Sequence, residues 1–237
     1  MPRGKAPAWR AGVRKDAWVQ IPPPALMILW LGIILWFAVF MSGSIAGGLC
    51  SSKNAKIGGG CTSTVFIILS IAVFYFTDGF TYYGLKIDIY YTLLSIPISF
   101  LVSFPLILLA SVMGGEKAKE YNPMGEDIGL IEYIVLFLIL APLGEEFLFR
   151  GILESPLLDY GILIAVIVPA LLFSLIHIVA FKNASRKFLA TILFSAFILG
   201  LLAGYFRAIS CSLFPAFTIH AMFNLNGKIA ERLTHAK

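Results

Sequence analysis

The sequence has little charge and few cysteines, and these shortages exclude most soluble and extracellular classes of protein. Of the 237 residues only 13% are charged and 3 are cysteine, whereas 59% are hydrophobic. A soluble domain needs more charge than this on its surface, and a disulfide scaffold needs more cysteine. The 20 phenylalanines argue against disorder, and the absence of a glycine period or charged heptads excludes collagen and coiled coils. The sequence therefore predicts a helical membrane protein.

Basic residues outnumber acidic ones, but their placement does not indicate a nucleic-acid partner. The 18 Lys and Arg give a formal net charge of +5, and they are dispersed over tails and loops without interleaved aromatic residues. Five of them precede the first apolar run, which predicts a cytoplasmic N-terminus because such residues usually stay inside. They are Arg3, Lys5, Arg10, Arg14 and Lys15.

Long uncharged runs set the architecture, since a helix needs about 20 mostly apolar residues to cross the hydrocarbon. A further candidate span, 128–149, is uncharged only from Tyr133 to Gly144 and then carries Glu145 and Glu146. Ionisable residues inside a span usually mark function. We therefore predict an all-α, polytopic transmembrane helix bundle of about seven to eight spans, with its active site inside the membrane. The uncharged runs are Ala17–Ser52, Ile57–Thr77, Ile89–Gly115, Tyr160–Phe181, Phe188–Phe206 and Ala208–Gly227.

Two short features each leave two interpretations open. Cys50 and Cys61 flank a predicted first loop, 51–60, where they form either a disulfide outside the cytoplasm or two free thiols at span ends. Gly200 and Gly204 form Gly-x-x-x-Gly, which permits close contact between helices. For these glycines we favour packing within the monomer over dimerisation.

The segment around the two glutamates carries the first motif. On a helix Glu146 and Arg150 are four residues apart and can pair, whereas Glu145 is rotated by about 100° and faces elsewhere. An unpaired carboxylate in hydrocarbon costs several kcal/mol, so Glu145 needs another partner, a water or a proton. The alternative is that both glutamates only mark a helix end at the interface, because Glu154 and Asp159 follow closely.

Histidine and asparagine residues in two later spans complete a chemical set. His177 lies near the end of one span, and His220 and Asn224 lie four apart in the last span, where they share a face. A carboxylate and an imidazole could hold and deprotonate a water, while a second imidazole and an amide could stabilise an oxyanion. No nucleophile signature surrounds Ser174. The set therefore fits hydrolysis of an amide by an activated water.

Taken in order, the three motifs resemble the CPBP family of intramembrane proteases. They are Glu-Glu-x-x-x-Arg at 145–150, Phe-x-x-x-His at 173–177 and His-x-x-x-Asn at 220–224. The family includes CAAX prenyl endopeptidases of the Ras-converting type and bacteriocin-processing or self-immunity proteins. The resemblance covers about 130–230, so we expect an intramembrane endopeptidase that cleaves a lipidated (CAAX-type) or membrane-associated substrate.

The resemblance also implies a glutamate-protease mechanism with assigned roles. Glu145 and His177 would position and activate the attacking water, and His220 and Asn224 would stabilise the tetrahedral oxyanion. The supporting residues would be Glu146 and Arg150, with Phe173 as a packing residue. No cofactor is expected, and a catalytic zinc is the less favoured alternative because no His-Glu-x-x-His is present.

The expected partners are the lipid bilayer and a peptide or protein substrate, which is either prenylated at a C-terminal cysteine or unmodified. The membrane would be the cell membrane in a prokaryote and the endoplasmic reticulum membrane in a eukaryote. We divide the chain into a basic tail at 1–24, a transmembrane scaffold of about three spans at 25–127, the catalytic region at 128–230 and a C-terminal tail at 231–237.

Two other functions fit the same residues. The ionisable groups and proline-broken spans could form the charge relay of a proton-coupled transporter, although no internal repeat supports it. A non-enzymatic self-immunity protein could retain the motifs for folding alone.

Overall fold

The computed structural model describes residues 23–52, 54–120 and 128–235. The predicted basic tail at 1–24 falls outside this part of the chain except for its last two residues, and the tail at 231–237 is described only as helical backbone to His235. Within the described residues all regular structure is helical and no strand occurs. The predicted all-α transmembrane bundle is therefore confirmed.

Seven helices make up the described bundle. The fourth, α4, runs over 130–160 and joins α-helical, π-helical and 3₁₀ segments end to end. The others are α1 (Pro23–Ser51), α2 (Ala55–Phe76), α3 (Ile89–Glu120), α5 (Ile162–Ala180), α6 (Arg186–Ser210) and α7 (Leu213–His235).

Five of these helices are long and apolar enough to cross a membrane, namely α1, α2, α3, α5 and α6. This makes the protein an integral, multi-pass membrane protein. The two described helices that do not qualify, α4 and α7, are those that carry the glutamates and the pair His220 and Asn224.

The predicted first loop at 51–60 is wrong over most of its length, since α2 begins at Ala55. The side chain of Asn54 accepts a hydrogen bond of 2.7 Å from the backbone N–H of Lys56, which caps the helix. Helical glycines are tolerated here because α1 packs closely: a Cβ on Gly58 would lie 3.0 Å from the carbonyl oxygen of Gly47. Cys50 and Cys61 then meet in a disulfide, which decides between the two interpretations of these cysteines.

Helix α4 occupies the centre of the bundle and contacts α1, α2, α5, α6 and α7. Residues 146–157 are all buried, and Leu148 and Phe149 are 0% exposed. Two π-helical stretches, Ile134–Leu140 and Phe147–Leu153, flank the α-helical segment Ala141–Glu146 that carries both glutamates. Such wide turns frequently occur at functional sites. Both glutamates therefore lie within α4 and not at a helix end.

The two glycines of Gly-x-x-x-Gly lie in α6, where interior packing accounts for both. A Cβ on Gly200 would lie 2.8 Å from both Cα and Cβ of Ala170 in α5. A Cβ on Gly204 would lie 3.0 Å from a carboxylate oxygen of Glu154 in α4. These positions are filled within the monomer, as the favoured interpretation predicted.

Replacing Gly200 with alanine should destabilise the protein, because the new Cβ would collide with the backbone of Ala170. We expect a loss of about 1–3 kcal/mol, typical of overpacking a close helix contact. The measurement is the thermal midpoint in detergent, with Gly48→Ala as the matched control, since nothing lies within 4 Å of a Cβ there. Equal midpoints for the two variants would contradict the assigned packing role.

Candidate active site

A cavity of about 480 Å³ lies among α2, α3, α4, α5, α6 and α7. Its lining is largely apolar, with Phe173, Leu199 and Phe223 among the contributing side chains. Four of the six predicted site residues, from three different helices, also line it. They are Glu145, His177, His220 and Asn224.

The two adjacent glutamates face different surroundings, as their rotation about the helix predicted. The side chain of Glu145 is 24% exposed and lines the cavity, whereas that of Glu146 is 0% exposed. Arg150 lies one turn beyond Glu146, and its Nε is 3.2 Å from Oε2 of that carboxylate. The carboxylate of Glu145 thus faces the cavity, while that of Glu146 is buried within the protein.

His220 links the two glutamates, a contact that spacing along the chain did not predict. Its Nδ1 lies 2.8 Å from Oε1 of Glu146, and its Nε2 lies 3.7 Å from Oε2 of Glu145. Because a carboxylate accepts hydrogen bonds, Nδ1 is the protonated nitrogen when Glu146 is ionised. Glu146 therefore orients an imidazole that is 74 residues away in the sequence.

Arg150 is completely buried and held on several sides. Besides the pair with Glu146, its Nη2 donates a hydrogen bond of 3.1 Å to the carbonyl oxygen of Gly200. Its guanidinium carbon lies 4.9 Å from the centre of the Phe173 ring, a cation–π contact. The same ring lies 5.5 Å from the ring of His220, so Phe173 packs against both basic groups as a motif packing residue should.

The imidazole of His177 has a fixed orientation. Its Nδ1 lies 2.8 Å from the carbonyl oxygen of Phe173, one turn earlier in α5. A carbonyl oxygen can only accept, so Nδ1 donates and the neutral ring keeps its lone pair on Nε2. This is the tautomer that a general base requires.

The amide of Asn224 is anchored to α4. Its Nδ2 donates a hydrogen bond of 2.8 Å to the carbonyl oxygen of Phe137, within the first π-helical stretch. The hydroxyl of Tyr133 donates to the backbone carbonyl of Asn224 at 2.6 Å. A primary amide carries two N–H groups, so one donor remains for a ligand in the cavity.

Sequence reasoning missed two further ionisable residues that are buried behind the site, Glu154 and Arg207. Glu154 is 0% exposed, and neither carboxylate oxygen has a hydrogen-bond partner within the described residues. Arg207, 2% exposed, donates hydrogen bonds of 3.1 Å to the hydroxyl of Ser155 and to the carbonyl of Tyr82. The sequence does indicate the position of Glu154, because Glu146, Arg150 and Glu154 recur every four residues and so lie on one face of a helix.

Sequence reasoning also missed a cation at the cavity. Lys56 is the only Lys or Arg among the described residues that line it, and its side chain is 15% exposed. Its Nζ lies 3.1 Å from Oε2 of Glu132, 76 residues away in the sequence, at the start of α4.

No group of three or more His, Cys, Asp or Glu suited to hold a metal ion occurs in the described part of the chain. The acidic and imidazole groups nearest one another are Glu145, Glu146 and His220, of which Glu146 is already paired with Arg150. The expectation of a site without a cofactor stays a prediction.

Comparison with known proteins identifies the region that carries this site. Residues 127–226 match the family described as Type II CAAX prenyl endopeptidase Rce1-like, a little under half of the chain. All six predicted site residues fall inside the match. No curated protein and no solved structure matches the chain significantly. The resemblance inferred from the three motifs is thereby confirmed: residues 127–226 match an Rce1-like domain of the type II CAAX prenyl endopeptidase family.

Proposed function

We propose that the protein is an intramembrane endopeptidase that cleaves a prenylated, CAAX-type peptide with a water activated by Glu145 and His177. The observation that carries the proposal is that Glu145, His177, His220 and Asn224 line one cavity, although they come from three helices. The match of residues 127–226 to the Rce1-like family supports a protein substrate.

In the first step a water lies between the Glu145 carboxylate and Nε2 of His177. The water oxygen attacks the scissile carbonyl carbon while its proton passes to the carboxylate. Glu145 suits this role because its side chain reaches the cavity and is not paired with Arg150. His177 suits it because its Nδ1 is occupied by the Phe173 carbonyl, which leaves Nε2 as an acceptor for the water.

The tetrahedral intermediate then needs donors for its oxyanion. Asn224 has one N–H left after its bond to Phe137, and His220 can donate from Nε2 when both ring nitrogens are protonated. The Glu146 carboxylate beside Nδ1 would balance the charge of that imidazolium. The intermediate collapses when the carbon–nitrogen bond breaks and the proton held by Glu145 passes to the leaving amine.

A prenylated substrate fits a site at this place. A prenyl group partitions into hydrocarbon, so it delivers the adjacent peptide to the bilayer rather than to bulk solvent. The cavity has a mainly apolar lining, and the ionisable side chains among its described lining residues are Lys56, Glu145, His177 and His220. The membrane would be the cell membrane in a prokaryote or the endoplasmic reticulum membrane in a eukaryote.

Glu145→Gln and His177→Ala should each abolish most of the cleavage of a farnesylated peptide by the purified protein in liposomes. Removing a general acid or base typically costs about 10²- to 10⁴-fold in rate. The readout is kcat/KM with a fluorogenic peptide, and Asp78→Asn is the matched control because Asp78 is an exposed carboxylate outside the cavity. Full activity of Glu145→Gln would contradict the mechanism, and folded wild type that cleaves nothing would return weight to the transport and immunity interpretations.

Glu146→Gln should lower kcat by weakening the hold on His220, and its effect should not add to that of His220→Ala. Both changes act on the same imidazole, so the double variant should be no slower than His220→Ala alone. The thermal midpoint must be measured in parallel, because an uncompensated buried Arg150 costs about 3–5 kcal/mol of stability. Additive losses in kcat would show that Glu146 acts independently of His220.

Treatment of the purified protein with a strong chelator should leave cleavage unchanged, since the proposed nucleophile is a carboxylate-activated water. A zinc-dependent site would lose activity and regain it when zinc is restored. That second result would replace the water-activating role of Glu145 with a metal-ligand role. The control is a known zinc protease inactivated under the same conditions.

A further inference from the structure

Lys56 lies where two cavities meet. It lines the catalytic cavity and also a second one of about 750 Å³ bounded by α1, α2 and the start of α4. Gly60 and Leu136 also line both cavities. A cation at this junction is unexpected, because the lining of both cavities is mainly apolar and nothing in the proposed hydrolysis uses a positive charge there.

The displacement between Lys56 and the level of Glu145 can be measured along the axis of α2. A Cβ on Gly144 would lie 2.9 Å from the carbonyl oxygen of Ser63, so Glu145 sits level with Ser63. Lys56 precedes Ser63 by seven residues, which is about 10 Å along a helix axis. An extended tripeptide also spans about 10 Å.

This match relates Lys56 to one particular group of the substrate. This inference rests on the proposed function and takes the scissile bond to be the one after the prenylated cysteine of C-a-a-X, beyond which three residues end in a carboxylate. With the scissile bond at Glu145, that carboxylate would reach the level of Lys56. A carboxylate drawn into an apolar cavity needs a cation, and the negative charge of Glu145 disfavours the opposite orientation.

Glu132 already shows what Lys56 can bind. Its carboxylate lies 3.1 Å from the Lys56 ammonium and also accepts a hydrogen bond of 3.1 Å from the backbone N–H of Gly129, and its side chain is 52% exposed to solvent. We propose that Lys56 binds the C-terminal carboxylate of the substrate, in exchange for Glu132, and thereby fixes the number of residues between the cleaved bond and the chain end. Lys56 is then a specificity-determining residue that takes no part in bond breaking.

The test compares two farnesylated peptides of identical sequence, one ending in a carboxylate and the other in a carboxamide. Wild type should prefer the carboxylate by about tenfold in kcat/KM, the size expected for one charge-assisted hydrogen bond. Lys56→Gln should lose this preference by slowing only the carboxylate peptide, and Lys56→Arg should restore much of it. Glu132→Gln should keep or increase the preference, because it removes the competing carboxylate.

Lys182→Gln is the matched control, since Lys182 is exposed and adjacent to the cavity residue Phe181 without lining the cavity itself. A wild type that cleaves both peptides equally well, or a Lys56→Gln variant that keeps the preference, would overturn this inference while leaving the proposed hydrolysis intact. A wild type that cleaves neither peptide would instead overturn the proposed function. Thermal midpoints of all variants show whether the changes act through folding.

Discussion

The pairing of Glu146 with Arg150 and His220 is the constraint on which the site depends. All three groups are nearly or fully buried, and an ionised carboxylate in such surroundings is tolerable only when it is paired. The pair with Arg150 is local to α4, whereas the contact with His220 ties α4 to α7. The same carboxylate therefore fixes both the relative position of two helices and the orientation of an imidazole in the cavity.

Space for the buried charged side chains of α4 comes from two glycines on one facing helix, α6. Gly200 leaves room for Arg150, whose Nη2 would lie 3.3 Å from a Cβ at that position, and Gly204 does the same for Glu154. Gly200 and Gly204 are four residues apart in α6, and Arg150 and Glu154 are four residues apart in α4. Each glycine therefore lies opposite one charged side chain on successive turns of the two helices. A motif usually associated with contact between apolar helices here accommodates charged side chains.

The sequence predicted what depends on local geometry and missed what depends on how helices pack. Helical periodicity sufficed to pair Glu146 with Arg150 and to turn Glu145 away from them. The contact between Glu146 and His220, and that between Lys56 and Glu132, join residues more than 70 positions apart, so no spacing rule reveals them. The first loop was mispredicted for a related reason, since a glycine run reads as a loop until close packing against α1 makes it helical.

Under the proposed function, the two adjacent glutamates serve two purposes because a helix separates the directions of neighbouring side chains by about 100°. Glu146 is paired with Arg150 and His220 inside the protein, and it holds the imidazole of His220 in one orientation. Glu145 faces the cavity, and within the described residues the only basic group within 4.0 Å of its carboxylate is Nε2 of His220, at 3.7 Å. A carboxylate that must accept a proton from water needs this incomplete pairing, because a strong ion pair would compete for the same lone pairs. Glu146 would thus hold His220 in position, and Glu145 would keep lone pairs that can accept a proton from water.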